Sequence, residues 1–271
     1  MAARIQSPSS INTYKQCPRR YYYNYVIKLQ KKIPSIHLQR GKIVHSALED
    51  FFKVDISNIH NTHFEFELKT ILQSLFKRKW EEGREELEKI DLTQDQLIFY
   101  YEESVMMVDN WFNNFLKVLK PKVMVYGLKE AFNIVKPLTE VHFISNEHQV
   151  QGFIDAVHEI EGKVSLVDYK TSKRAKITED YKLQLAIYAM LYEEKYGKKP
   201  HLVAVDFLRH KSLYLEVDDE LVRFAKRECK IIQENTISED VEDYSLKTGP
   251  LCKYCDFYDI CFGQKMISDF Q

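Results

Sequence analysis

The hydrophobic patterning of this chain predicts an α/β fold, and three observations carry that expectation. Up to residue 121 apolar side chains recur three and four apart, and from about 123 to 171 they alternate. One further helical stretch then separates two more alternating runs. The order suggests an α/β core flanked by a helical N-terminal part, with a cysteine-bearing tail as a separate small element. With 271 residues, 45% of them hydrophobic and 29% charged, the chain can bury a sizeable core as one large domain or two small ones.

The elements follow in order. Ser7-Pro8-Ser9-Ser10 reads as a helix start, with Ser7 as cap and Pro8 in the first turn, where its missing N–H costs nothing. Pro18 interrupts, and a second helical stretch follows through Tyr21, Tyr22, Tyr23 and Tyr25. Gly41 precedes a helix in which Val44, His45, Leu48 and Phe52 recur at helical spacing, and two more helices are expected near 63–83 and 94–119. Val123 and Val125, Phe132 and Ile134, Val141 and Phe143, Phe153, then Val164 and Leu166 read as a meander of strands, with turns at Asn146-Glu147 and Glu161-Gly162. Residues 176–197 return to helix, His201–Leu208 and Leu213–Val217 are expected as strands, and 219–235 as a last helix.

No apolar run approaches the roughly 20 residues that span a bilayer. The start, Met1 to Ile5, lacks the apolar core of a secretory signal, so the expectation is a cytoplasmic protein with no membrane partner. A net charge of −1 does not advertise a polyanion. Locally, residues 15–42 carry Lys15, Arg19, Arg20, Lys28, Lys31, Lys32, Arg40 and Lys42 without an acid. Interleaved tyrosines make this either a base-stacking, backbone-tracking surface or a solvated helix face with a tyrosine-rich core side.

Gly152-Phe153-Ile154-Asp155 and Asp168-Tyr169-Lys170 fall on two successive strands. Residues two apart on a strand face the same way, so Asp168 and Lys170 project together, and a hairpin brings Asp155 beside them. Two carboxylates suit a hard cation such as Mg²⁺ or Mn²⁺, which polarises a phosphodiester, while a lysine offsets charge building on phosphorus. Taken alone, Asp-x-Lys reads first as a surface cross-strand pair, with Asp155 a turn residue. Gln184 and Tyr188, at i and i+4, share a helix face. His45 is either a satisfied core histidine or a ligand, and as a ligand it favours Mn²⁺.

Cys17, Cys229, Cys252, Cys255 and Cys261 are odd in number, which argues against a disulfide framework. Cys252-x-x-Cys255 with Cys261 has the spacing of a metal or cluster site, and Cys17 offers a fourth thiol; spacing alone favours zinc over iron–sulfur. Cys229 has no matching partner.

Ser7-Pro8-Ser9, Cys17-Pro18-Arg19-Arg20-Tyr21, Gly41 to His45, Gly152 to Asp155, Asp168-Tyr169-Lys170, Gln184 to Tyr188 and the cysteine trio together resemble the RecB-like branch of the PD-(D/E)XK nucleases. The likeness is to the iron–sulfur subgroup with the CRISPR-associated exonucleases and the AddB nuclease domain, and it covers nearly the whole chain. It implies a restriction-endonuclease-like core, a mixed central sheet flanked by helices, at 122–236. A helical region (1–121) carrying Cys17 and His45 precedes it and an iron–sulfur element (237–271) follows, the two joined through the cluster.

The resemblance further implies that His45, Asp155, Asp168 and the Tyr169 carbonyl ligate Mg²⁺ or Mn²⁺, with Asp155, Asp168 and Lys170 catalytic. Gln184 and Tyr188 would hold DNA, alongside Arg19, Arg20 and Tyr21. Cys17, Cys252, Cys255 and Cys261 would ligate a [4Fe–4S] cluster, with structural Zn²⁺ as the alternative. Glu130, expected on an earlier strand, aligns with no motif and stays outside the set. The function so implied is a DNA exonuclease acting on single strands or free ends in repair, recombination or CRISPR adaptation, with a helicase or CRISPR integrase as partner. The rivals are a non-catalytic nucleic-acid-binding or scaffolding subunit, and a nuclease of RNA.

Overall fold

A computed structural model describes residues 4–29, 35–60 and 62–263. Met1 to Ala3, Lys31 and Lys32 of the basic stretch, and the tail after Gly263 lie outside the described residues. Two short helices, α1 (Pro8–Gln16) and α2 (Pro18–Tyr21), lead into a π-helical turn (Tyr22–Val26). Four helices and a short fifth follow: α3 (Ile36–Phe51), α4 (Phe64–Glu82), α5 (Arg84–Glu88), α6 (Gln94–Tyr126) and α7 (Leu128–Val135). The sheet comprises β1 (Leu138–Ser145), β2 (Val150–Ile160), β3 (Lys163–Lys170), β4 (Leu202–Phe207) and β5 (Ser212–Glu216). Helix α8 (Glu179–Tyr196) joins β3 to β4, and α9 (Asp219–Asn235) and α10 (Tyr258–Cys261) come last.

The strands lie in chain order. β1–β2, β2–β3 and β4–β5 are antiparallel, while β3 and β4 are parallel because α8 carries the chain across the sheet between them. The result is the mixed sheet that the family resemblance implies. Each face carries its own apolar cluster. On one face Val164, Leu166, Val203 and Val205 pack with α8, α9, the tyrosines after Pro18 and Phe257 of the tail. On the other, Ala156 and Tyr169 pack with α3, α4, α6 and α7.

The N-terminal start behaves as read: Ser7 Oγ accepts from the Ser10 N–H at 3.1 Å, and Ser10 Oγ from the Ser7 N–H at 2.8 Å. Two expectations need correction. The strands read at Val123–Val125 and Phe132–Ile134 are helices, the end of α6 and all of α7. In α7 the buried residues are Leu128, Ala131, Phe132 and Val135, a helical i, i+3, i+4, i+7 stripe, and Gly127 at φ +76° separates it from α6. Helix α6 runs on through Pro121 and across the expected division at 121–122. Gly41 lies inside α3 rather than before it.

The segment after Pro18 packs against the C-terminal segment around Tyr244 and Phe257. Tyr21 stacks on Tyr244 with ring centroids 6.0 Å apart, and Tyr23 meets Phe257 at 5.2 Å. Arg19 Nε donates to the Tyr244 carbonyl at 2.7 Å. No helix among the described residues is long and apolar enough to cross a membrane.

Gly152 marks a close approach of sheet and helix. A Cβ there would stand 3.0 Å from Tyr188 Cε1, too near to accept without displacing the ring. Gly152→Ala is therefore expected to cost about 1–3 kcal/mol through overpacking. Urea denaturation checks this, and an unchanged midpoint would show that Tyr188 yields freely.

Candidate active site

β2 and β3 pair from Ile160↔Lys163 up to Ala156↔Val167, and there the ladder ends. Beyond that point the Asp155 carboxylate takes over: its Oδ2 accepts the Tyr169 N–H at 2.6 Å. The same place breaks the side-chain alternation of β2. Ile154 and Val157 both join the α8-side cluster, and Ala156 the opposite one, so Asp155 sits where the strand changes its pleat. Across the β1–β2 pair the register runs Thr139↔Ala156 and Val141↔Ile154, which leaves Glu140, at φ +49°, opposite Asp155. Both departures aim a carboxylate at the strand split.

α3 brings His45 to this point, with Nδ1 3.4 Å from Asp155 Oδ1 and its ring edge-on to Tyr169 at 5.9 Å. Ligand atoms of His45, Glu140 and Asp155 all lie within 4.8 Å of one another. β3 supplies Asp168 and Lys170 on the α8 side, with Lys170 Nζ 2.6 Å from Asp168 Oδ2. α8 reaches the other oxygen. Gln184 Nε2 donates to Asp168 Oδ1 at 2.8 Å and to the Tyr188 hydroxyl at 2.7 Å, and that hydroxyl lies 3.4 Å from Oδ1.

The electrostatics follow first from burial and then from the charges packed together. Burial, then the charge of Asp155, pushes Asp168 up to about 6, against the opposing pull of Lys170 and His45. Burial depresses Lys170, but the Asp168 carboxylate outweighs it and holds the ammonium above its ordinary value. Burial likewise lowers His45, and the hydrogen bond and charge of Asp155 reverse that, leaving the imidazole raised. Glu140 is raised by burial first and Asp155 second.

Of the residues singled out in the sequence, Asp155, Asp168, Lys170, His45, Gln184 and Tyr188 converge, whereas Glu130 is exposed on α7. Glu140 was missed, and the period-two pattern of β1 held the available signal, since a hairpin sets Thr139–Val141 against the Asp155 segment. Arg19, Arg20 and Tyr21 contact the C-terminal segment instead. Tyr21 is 0% exposed and bonded to Gln6, so its ring cannot stack on a base. Hydrophobic packing claims Tyr21, and with it Tyr22 and Tyr23.

Cys17, Arg20, Cys252, Cys255 and Cys261 line a cavity of about 170 Å³ between the termini. All four thiols are free, and no three of them bring their sulfurs within 4.8 Å of one another. Burial, followed by Cys255 and Cys17, pushes Cys261 up to about 11. Cys229 is buried in α9, away from this group.

The split sheet and its cluster of acids, imidazole and ammonium define a protein of the nuclease class. The chain belongs to the PD-(D/E)XK nuclease superfamily, whose model matches residues 6–262. It is similar to the CRISPR-associated exonuclease Cas4 of Francisella tularensis subsp. novicida (strain U112), at 29% identity over 140 residues. That match takes in 50% of this chain and 66% of the relative, just under two thirds of its length. A solved structure of a candidate exonuclease from Eubacterium rectale is 12% identical, over 93% of this chain and 87% of that one, with a TM-score of 0.48.

A pH dependence follows. In the metal-free protein Asp168 titrates at about 6 rather than 3.8, so folding takes up a proton, and stability is lost as pH rises through that window. A cation must displace the same proton, so Mn²⁺ should bind more tightly at pH 7 than at about pH 5, with proton release at the lower pH. Calorimetric titration at both values checks this; equal affinities would contradict it.

Proposed function

We propose that the chain is a divalent-metal-dependent DNA exonuclease acting on single strands or free ends. The convergence of His45, Glu140 and Asp155 within 4.8 Å, beside the Asp168–Lys170 ion pair, carries this reading. The donor set fits a hard cation: three carboxylates and one imidazole, with Asp168 Oδ2 buried and facing the Lys170 ammonium at 2.6 Å. His45, Glu140, Asp155 and Asp168 would hold Mg²⁺ or Mn²⁺, together with the Tyr169 carbonyl. The bound cation supplies the positive charge that polarises the scissile phosphate and makes a nearby water acidic. Gln184 and Tyr188 orient Asp168 by binding Oδ1, which leaves Oδ2 turned toward Lys170 and the site. Lys170, kept as an ammonium, is a donor to the attacking water or a phosphate oxygen and not a base. The exonuclease name of the Francisella relative supports action at ends, and its CRISPR association supports a place in CRISPR adaptation; an integrase or helicase is the partner this reading expects.

Lys170→Ala is expected to lower cleavage of end-labelled single-stranded DNA by about 100-fold or more while leaving fold and metal binding intact. A matched RNA oligonucleotide runs alongside. Cleavage at the parent rate by Lys170→Ala would remove the assignment, and preference for RNA would change the substrate.

The thiol cavity supports a [4Fe–4S] cluster as the clip between the termini. Arg20 Nε is buried there without a hydrogen-bond partner, as a cation facing an anionic thiolate cluster would be. Anaerobically purified protein is expected to carry about four iron atoms per chain. Cys255→Ser should lose them and lower the melting temperature. One zinc and no iron would overturn the cluster.

A further inference from the structure

On α3, His37, Gly41 and His45 are spaced four apart and form one stripe. His45 is at the active site, and Gly41 faces Thr171, whose Oγ1 would stand 3.8 Å from an added Cβ. Lys170 is the residue before Thr171. His37 lies about 12 Å further along the helix axis, at 1.5 Å per residue. No side chain from Gly41 obstructs the way between them.

The far end of that stripe is cationic and aromatic. The His37 ring is edge-on to Tyr100 at 5.8 Å, the Arg40 guanidinium lies 5.1 Å from the Tyr100 centroid, and Phe99, 51% exposed, sits 5.4 Å from Tyr100. Arg40, 1% exposed, and Arg209 share the single carboxylate of Glu103, and Arg40 Nε is left without a partner. Arg209 also donates to the Thr171 carbonyl at 3.1 Å, which ties this group to the end of β3. Among the described residues no carboxylate comes within ion-pair distance of Lys173. Partial burial, then the charges of Arg40, Lys173 and Arg209, hold His37 below its ordinary value despite Glu103, so the local field is positive.

We infer that a single nucleic-acid strand reaches the active site over this surface, its phosphates on Lys173 and His37, with Arg209 held beneath them by Glu103 and Thr171, and a base on Phe99 or Tyr100. The inference rests on the nuclease reading and adds the route. It replaces the buried tyrosines after Pro18 as the stacking platform. Cations beside accessible rings suit a single strand, whose bases are free to stack. A duplex presents phosphates and hides base faces, so the exposed Phe99 ring would gain nothing from it.

The test is fluorescence anisotropy with labelled single-stranded and duplex oligonucleotides, in an Asp168→Ala background so that nothing is cleaved. Phe99→Ala should weaken single-strand binding about tenfold and leave duplex binding unchanged. Lys173→Glu should weaken single-strand binding and flatten its salt dependence by about one charge. Both positions are exposed, and unchanged melting curves confirm the folds. Single-strand affinities equal to the parent's in both variants would overturn the route while the nuclease stands, and an equal loss for duplex would overturn the single-strand preference. A parent that binds neither oligonucleotide, with wild type cleaving none, would sink the route and the nuclease reading together.

Discussion

Asp168 is buried where β2 and β3 part, and that burial first, with the charge of Asp155 behind it, makes its carboxylate costly. Like charges in a low-dielectric setting need cations or protons. In this chain Lys170 and His45 answer part of the need, and the elevated Asp168 shows that they do not answer all of it. A site holding unmet negative charge, with an imidazole and a further glutamate beside it, is primed for a divalent cation. The fold around it is the means of keeping those groups together.

Each neighbouring element contributes in that sense. α8 anchors Asp168 through Gln184 and Tyr188, and Gly152 leaves the room that Tyr188 occupies. α3 delivers His45, and its own position is tied through Arg40 to Glu103 on α6 and through Arg209 to the end of β3. The two apolar clusters, one on each face of the sheet, hold α3 and α8 on opposite sides of the strand split. The site therefore depends on both halves of the core.

Local patterns were legible in the sequence, and contacts between distant segments were less so. Asp168 and Lys170 share a strand face by period two, and Gln184 and Tyr188 share a helix face by i, i+4. A hairpin turn at Glu161-Gly162 is enough to set Asp155 near them. Val123 to Ile134 misled because apolar residues two apart also arise within a helical stripe when neighbouring positions are apolar; Leu128, Ala131, Phe132 and Val135 show the true period. Glu140 carried no mark of its own, since an acid on an alternating strand reads as a solvent-facing residue until its partner strand is known. The tyrosines after Pro18 suit either a stacking surface or a core, and only the tail carrying Tyr244 and Phe257, more than 200 residues away in sequence, decides for the core.

The central claim is that the carboxylates at the strand split hold a divalent cation. The most direct measurement is anomalous diffraction from crystals soaked in Mn²⁺. The account predicts a peak at the strand split, within bonding distance of His45, Glu140, Asp155 and Asp168. Crystals with an open, correctly folded site and no peak there, or a peak only elsewhere, would contradict it.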